Sequence, residues 1–219
     1  LYAKVEPHLK PDAVFATNTS GLPVAALAGG MPPARRARFC GIHFFNPPRY
    51  MPLVELIAPP ATEPAVLDAL EAWLTTRLGK SVVRAKDTPG FVANRVGVFS
   101  IMAVLHHTER LGLAFDEVDL LTGPRIGRPK SATFRTADVV GLDTLMHVVD
   151  GMHATLGDDP WHAYFRAPEW LAQLVAKGAL GQKSGAGVYR KEGRRILVLD
   201  RHKGAYVESG GEVFPDLEE

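Results

Sequence analysis

Short apolar runs separated by turn residues dominate the first third of the chain. Residues 1–9 predict the end of a helix, stopped near Pro11. Ala13 to Thr17 is an apolar run entered through Pro11-Asp12, which predicts a buried strand. It leads into Asn18-Thr19-Ser20-Gly21, which is turn and N-cap chemistry, and Pro23 to Ala28 predicts a short helix. Arg38 to Phe45 and Leu53 to Ala58, rich in β-branched and aromatic residues, predict two further strands. The intervening Asn46 to Pro52 carries prolines that break a strand, so the two runs can lie antiparallel and adjacent. Thr62 to Leu78 predicts an amphipathic helix. Thr62 is its expected cap, Val66, Leu67, Leu70, Trp73 and Leu74 its inner face, and Gly79 its stop. Ser81 to Arg84 predicts a last strand.

The pattern changes at Asp87-Thr88-Pro89-Gly90, where a domain boundary is expected. Beyond it, helical periodicity predicts Phe91 to Leu111, Asp116 to Leu121, Ala137 to Met152 and Trp170 to Ala176. Gly178, Gly181, Gly185 and Gly187 form a glycine-rich loop before Val188-Tyr189. Ile196 to Glu219 predicts a short strand pair and an acidic tail. The expected organisation is 1–86, 87–190 and a tail or linker over 191–219.

Composition narrows the classes. The 219 residues are 46% hydrophobic and 22% charged, which is ordinary globular composition. Lys and Arg number 25 against 24 Asp and Glu, a balance that gives no case for a nucleic-acid partner or a membrane surface. Arg35, Arg36 and Arg38 form one basic cluster, expected as a solvated loop. The single cysteine, Cys40, allows no disulfide within the chain. It points to a reducing compartment, the cytoplasm, and its apolar surroundings predict a buried small hydrophobe. No run approaches the length of a membrane span. His106-His107 are adjacent and diverge on a helix, so no metal-ligating spacing appears. Asp116, Glu117 and Asp119 are expected in a helix first turn.

Four residues could carry chemistry: Ser20, His43, Glu55 and Asn94. If the strands holding His43 and Glu55 pair, imidazole and carboxylate face each other across the ladder. A carboxylate accepting one ring N–H fixes the tautomer and leaves the other nitrogen as a base. On spacing alone, caps are the better reading of Asn18 and Ser20, and a helix first turn that of Asn94.

Read together, the words around these residues change the balance. Asn18-Thr19-Ser20-Gly21-Leu22, Gly41-Ile42-His43-Phe44-Phe45-Asn46-Pro47, Leu53-Val54-Glu55-Leu56-Ile57 and Lys86-Asp87-Thr88-Pro89-Gly90-Phe91-Val92-Ala93-Asn94-Arg95 resemble, in order, the signature blocks of L-3-hydroxyacyl-CoA dehydrogenases. Val140-Gly141-Leu142-Asp143-Thr144 and Gly181 to Tyr189 continue the resemblance to about residue 190. It implies an α/β fold, the C-terminal part of a Rossmann-like domain followed by an all-α domain that pairs subunits into a homodimer. It also implies NAD as cofactor, an acyl-CoA substrate and a place in fatty-acid β-oxidation. His43 matches the general base, Glu55 its carboxylate partner, and Ser20 and Asn94 the residues that hold the substrate. Asn18, Ser20, Asn46 and Lys183 match residues that touch the cofactor. Gly127 to Asp138 resembles a bacterial subgroup fused to an enoyl-CoA hydratase-like region. A short-chain 3-hydroxybutyryl-CoA dehydrogenase and a non-catalytic helical dimerisation module are the rival readings.

The resemblance departs at one place. The family's Gly-x-Gly-x-x-Gly turn, which receives the cofactor pyrophosphate at a helix N-terminus, is absent from these residues, as is the acidic ribose-binding residue. Roughly 100 residues of the cofactor domain are unaccounted for. The chain by itself is therefore expected to bind NAD weakly or not at all.

Overall fold

A computed structural model of the chain describes residues 2–210, so the expected acidic tail lies outside the described residues. The chain forms two compact units, residues 1–95 and 96–219. In the first unit the order is α1 (Tyr2–Val5), β1 (Phe15–Thr17), α2 (Val24–Ala28), α3 (Pro33–Arg36), β2 (Phe39–Phe44), β3 (Leu53–Ile57), α4 (Pro64–Leu78) and β4 (Ser81–Ala85). A turn of 3-10 helix, Glu6–His8, follows α1.

The four strands form one sheet in the order β1-β2-β3-β4. β1 runs parallel to β2, β2 antiparallel to β3, and β3 parallel to β4. The expected antiparallel neighbours are thus β2 and β3. Side chains alternate across the sheet, so each face collects its own apolar set. Phe39, Ile57 and Ala85 pack with Val24, Ala28 and Met31 on one face. Cys40 and Leu56 pack with Leu67 on the other. Helices on both faces of a largely parallel sheet make this a Rossmann-like layer arrangement.

Three local expectations are corrected here. Thr62 does not cap α4. Its hydroxyl donates to the Phe39 carbonyl at 2.6 Å, and Glu63 holds the N-cap position. Trp73 is exposed, so the inner face of α4 is Val66, Leu67, Leu70 and Leu74. The basic cluster is not a solvated loop, because Arg35 is buried in α3 and donates to the carbonyls of Ala13 and Lys10. Arg36 donates to those of Met31 and Gly29.

The chain continues through α5 (Ala93–Leu111), α6 (Phe115–Thr122), α7 (Phe134–Val140), α8 (Leu142–Thr155) and α9 (Glu169–Ala176). Then come β5 (Tyr189–Glu192), β6 (Arg195–Asp200) and β7 (Ala205–Glu208). Met102, Leu105, Phe115, Phe134, Leu142, Leu145, Val149, Phe165, Leu171 and Leu174 share one helical core. The single helix expected over 137–152 is two, α7 and α8. They are separated by Gly141 at φ 98°, a left-handed backbone that glycine adopts without a Cβ penalty. The strand pair expected after residue 196 is a three-stranded antiparallel meander that begins at Tyr189. Val188 and Val198 insert into the helical core.

Candidate active site

The site is built at the end of the first unit's sheet. Parallel pairing of β1 with β2 carries the chain out at Thr17, beside Gly41. The Asn18 side chain then accepts the Phe44 amide at 3.0 Å, which ties the turn after β1 to the end of β2. That turn carries Ser20.

β2 and β3 pair with His43 opposite Glu55. Directly opposed residues of an antiparallel pair share a face, so the two side chains meet. His43 Nδ1 lies 2.7 Å from Glu55 Oε2, and Nε2 lies 3.1 Å from the Ser20 hydroxyl. Glu55 is 0% exposed and His43 3% exposed, whereas Ser20 lies at the surface. A relay thus runs from a buried carboxylate through an imidazole to a surface hydroxyl. With Nδ1–H donating to Glu55, the free lone pair is on Nε2 and faces Ser20.

The second oxygen of Glu55 is also occupied. Oε1 accepts the amides of Val92 and Ala93, each at 2.8 Å. Ala93 opens α5, so the carboxylate caps two of the donors that a helix start leaves unpaired. Just before them, Phe91 is buried with a left-handed backbone, φ 48°. Its ring meets the His43 ring edge-on at 5.6 Å between centroids, and the Phe45 ring lies at 4.6 Å. Asp87 accepts the amides of Val24 and Ala25 at 2.8 and 2.7 Å, which ties the same turn to the start of α2.

Sequence reasoning missed Asp87, Phe91 and the two amides. The available signal was the Pro89-Gly90 turn ahead of a helix, because a helix start needs an acceptor for its free N–H groups.

Of the remaining sequence-predicted residues, Asn94 lies with this group, its side-chain amide 3.4 Å from the Ser20 carbonyl. Asn46 is exposed, one residue past Phe45 at a cis peptide bond to Pro47. Lys183 lies in the second unit, where its ammonium pairs with Asp143 at 2.6 Å. Cys40 is a buried thiol whose pKa burial pushes up to about 11, which suits packing and not nucleophilic attack.

Two more carboxylates are buried in the second unit. Asp119 was expected in the first turn of α6. It is instead buried in the middle of that helix and accepts the amides of Thr133, Phe134 and Arg135 and the Tyr189 hydroxyl. Asp138 accepts the amides of Val188 and Tyr189. Desolvation is the main cause that raises both, Asp138 to about 6.

These contacts decide how far the residues fit a dinucleotide. The polar rim around His43 Nε2 suits the reacting end of one. The glycine-rich loop does not suit its phosphates, because the loop is already filled. A Cβ on Gly181 would sit 2.2 Å from the Asp138 carbonyl oxygen, and one on Gly187 2.1 Å from the Asp138 carboxylate. These glycines serve close internal packing. Among the described residues there is no group of metal-ligating side chains, and no helix is long and apolar enough to cross a membrane.

Residues 1–88 match the family model described as the NAD binding domain of 3-hydroxyacyl-CoA dehydrogenase, and residues 90–191 match that of its C-terminal domain. A probable 3-hydroxyacyl-CoA dehydrogenase of Bacillus subtilis is 42% identical over 218 residues, covering 100% of this chain and 28% of the relative. Another of that description from Deinococcus radiodurans is 45% identical over 191 residues, covering 87% of this chain and 54% of the relative. The chain thus spans about a quarter to a half of these relatives' lengths. The crystal structure of (S)-3-hydroxybutyryl-CoA dehydrogenase from Ralstonia eutropha superposes with a TM-score of 0.76 at 32% identity, covering 86% of this chain and 64% of that one. With the two family models matching consecutive stretches of the chain, 1–88 and 90–191, the chain belongs to the 3-hydroxyacyl-CoA dehydrogenase family.

Proposed function

We propose that this chain is the catalytic part of an enzyme that oxidises (S)-3-hydroxyacyl-CoA to 3-oxoacyl-CoA in fatty-acid β-oxidation, with His43 as general base. The observation that carries this reading is the Glu55–His43–Ser20 relay, whose Nε2 opens toward a surface hydroxyl. The substrate 3-hydroxyl takes its place beside Nε2 and gives up its proton there. The Glu55 carboxylate stabilises the imidazolium that results and keeps the ring oriented. Ser20 holds the substrate oxygen, and Asn94 holds the thioester carbonyl. NAD, when bound, supplies the hydride acceptor. Asn18, Ser20, Asn46 and Lys183 are proposed to line its site.

In the same reading, 1–86 belongs to the cofactor domain and 87–190 to a substrate and homodimerisation domain of a cytoplasmic enzyme. The much longer Bacillus subtilis relative leaves room in that protein for a further domain, in keeping with a fused hydratase-like region. A second reading is a short-chain 3-hydroxybutyryl-CoA enzyme, the description that the similar Ralstonia eutropha structure carries. Rates against acyl length separate the two.

The glycine-rich cofactor turn is absent from residues 1–219, so the chain by itself is proposed to bind NAD weakly. The decisive assay therefore joins a family cofactor half ahead of Leu1 and follows NADH formation. His43→Ala is expected to lower kcat by about 100- to 10,000-fold. An unchanged rate would overturn His43 as the base, and no NADH formation by either protein would favour a non-catalytic dimerisation module.

A further inference from the structure

Only two non-glycine residues among those described have positive φ: Phe91 at 48° and Ala132 at 47°. They play the same structural part. Each closes a turn by donating its amide three residues back, Phe91 to Thr88 and Ala132 to Pro129, both at 2.9 Å. The next two amides then converge on a single oxygen of one buried carboxylate. After Phe91 they are Val92 and Ala93, on Glu55 Oε1. After Ala132 they are Thr133 and Phe134, on Asp119 Oδ1. A left-handed residue redirects the chain so that successive N–H groups point the same way, which makes a concave anion seat.

The two seats differ in what the other carboxylate oxygen does. That of Asp119 accepts the Arg135 amide and the Tyr189 hydroxyl, a purely structural use. That of Glu55 holds His43 Nδ1 at 2.7 Å. With two amides on Oε1 and the imidazole on Oε2, the plane of the Glu55 carboxyl group is fixed.

We propose that Phe91 is a positioning residue: its left-handed backbone seats Glu55 on the Val92 and Ala93 amides and so holds His43 as the Nδ1–H tautomer with Nε2 as base. The inference rests on the general-base reading of His43, but the tautomer can be measured without turnover. Phe91 touches neither substrate nor cofactor in this role.

Phe91→Leu and Phe91→Ile form a matched pair. Both keep apolar bulk and lose the ring, but only Ile is branched at Cβ, which makes positive φ a severe outlier. Nitrogen-15 NMR of the His43 imidazole and of the Val92 and Ala93 amides reads the seat directly in the 219-residue chain. The Leu variant is expected to keep the Nδ1–H tautomer and both amide signals, and the Ile variant to lose them. In the protein joined to its cofactor half, the Ile variant is expected to lose about 10- to 100-fold in kcat at nearly constant KM, with the Leu variant within about 3-fold of wild type. Should the Ile variant fail to fold, Phe91→Gly takes its place. Glycine adopts positive φ freely, so the tautomer and amides are expected to survive without the ring. Equal behaviour of Leu and Ile, or loss of the tautomer in the Gly variant, would overturn the proposal. An altered tautomer without any effect of His43→Ala on turnover would instead overturn the general-base reading alone.

Discussion

Arg35 shows what a single residue can conceal. Its guanidinium donates to the Ala13 carbonyl at 3.0 Å and to the Lys10 carbonyl at 3.3 Å, and the residue is only 8% exposed. Those carbonyls lie in the segment that leads into β1, so Arg35 fastens the strand that ends at the Ser20 turn. Hydrogen bonds from a charged donor contribute about 1.5–3 kcal/mol. Arg35→Ala is expected to lower the unfolding free energy by about 2 kcal/mol in urea denaturation, while Arg49→Ala, on an exposed loop, stays within about 0.5 kcal/mol. Equal effects would refute the fastening role. In the sequence, three arginines within four positions look like a solvated patch because charge is visible and its carbonyl acceptors are not. His43 and Glu55 are legible for the opposite reason. Strand alternation and one antiparallel pairing suffice to bring them together.

At the scale of elements, strands and long helices follow the apolar pattern closely, and junctions do not. The break of the helix expected over 137–152 depends on Gly141 at φ 98°, and glycine inside a periodic run does not announce its dihedral. Asp119 departs from its local pattern for a related reason. Its acidic neighbours suggest a helix start, yet it serves the start of the next helix, α7. A carboxylate from one helix that caps another is a tertiary contact, beyond what local pattern contains. Asp119→Ala leaves three amides and the Tyr189 hydroxyl without their acceptor. It is expected to cost about 3 kcal/mol, against less than about 1 kcal/mol for Glu117→Ala, which frees only the Ala114 amide. Chemical denaturation of the two variants under one set of conditions decides it. Comparable losses would mean that the α6–α7 junction does not depend on Asp119.

At the scale of the whole chain, Asp138 joins segments far apart in sequence. It sits in α7 and accepts the amides of Val188 and Tyr189, where the meander begins. Gly181 and Gly187 lie against it with no room for a side chain. Burial is the main cause that raises its carboxyl to about 6, and the nearby Asp119 adds to it. In an unfolded chain the same group titrates near 3.9. The folded state therefore holds this proton more tightly. The contribution to stability is full below about pH 4 and is lost as pH rises through about 6. Lowering the pH from 7 to 5 is expected to raise the unfolding free energy by about 1 kcal/mol through this group. Two half-buried carboxylates act outside that window. Asp143, lowered mainly by its hydrogen bond from Lys183, and Asp200, lowered mainly by the Lys203 amide, contribute stability that is lost only as pH falls below the ordinary carboxylate range. Asp138→Asn cannot ionise, and its amide must turn N–H toward one of the two backbone donors. The variant should be less stable throughout, and between pH 5 and 7 its stability should fall by about 1 kcal/mol less than that of the wild type. Parallel profiles for the two proteins would show that the proton is not held at Asp138, and that the segments joined there meet around a permanent carboxylate.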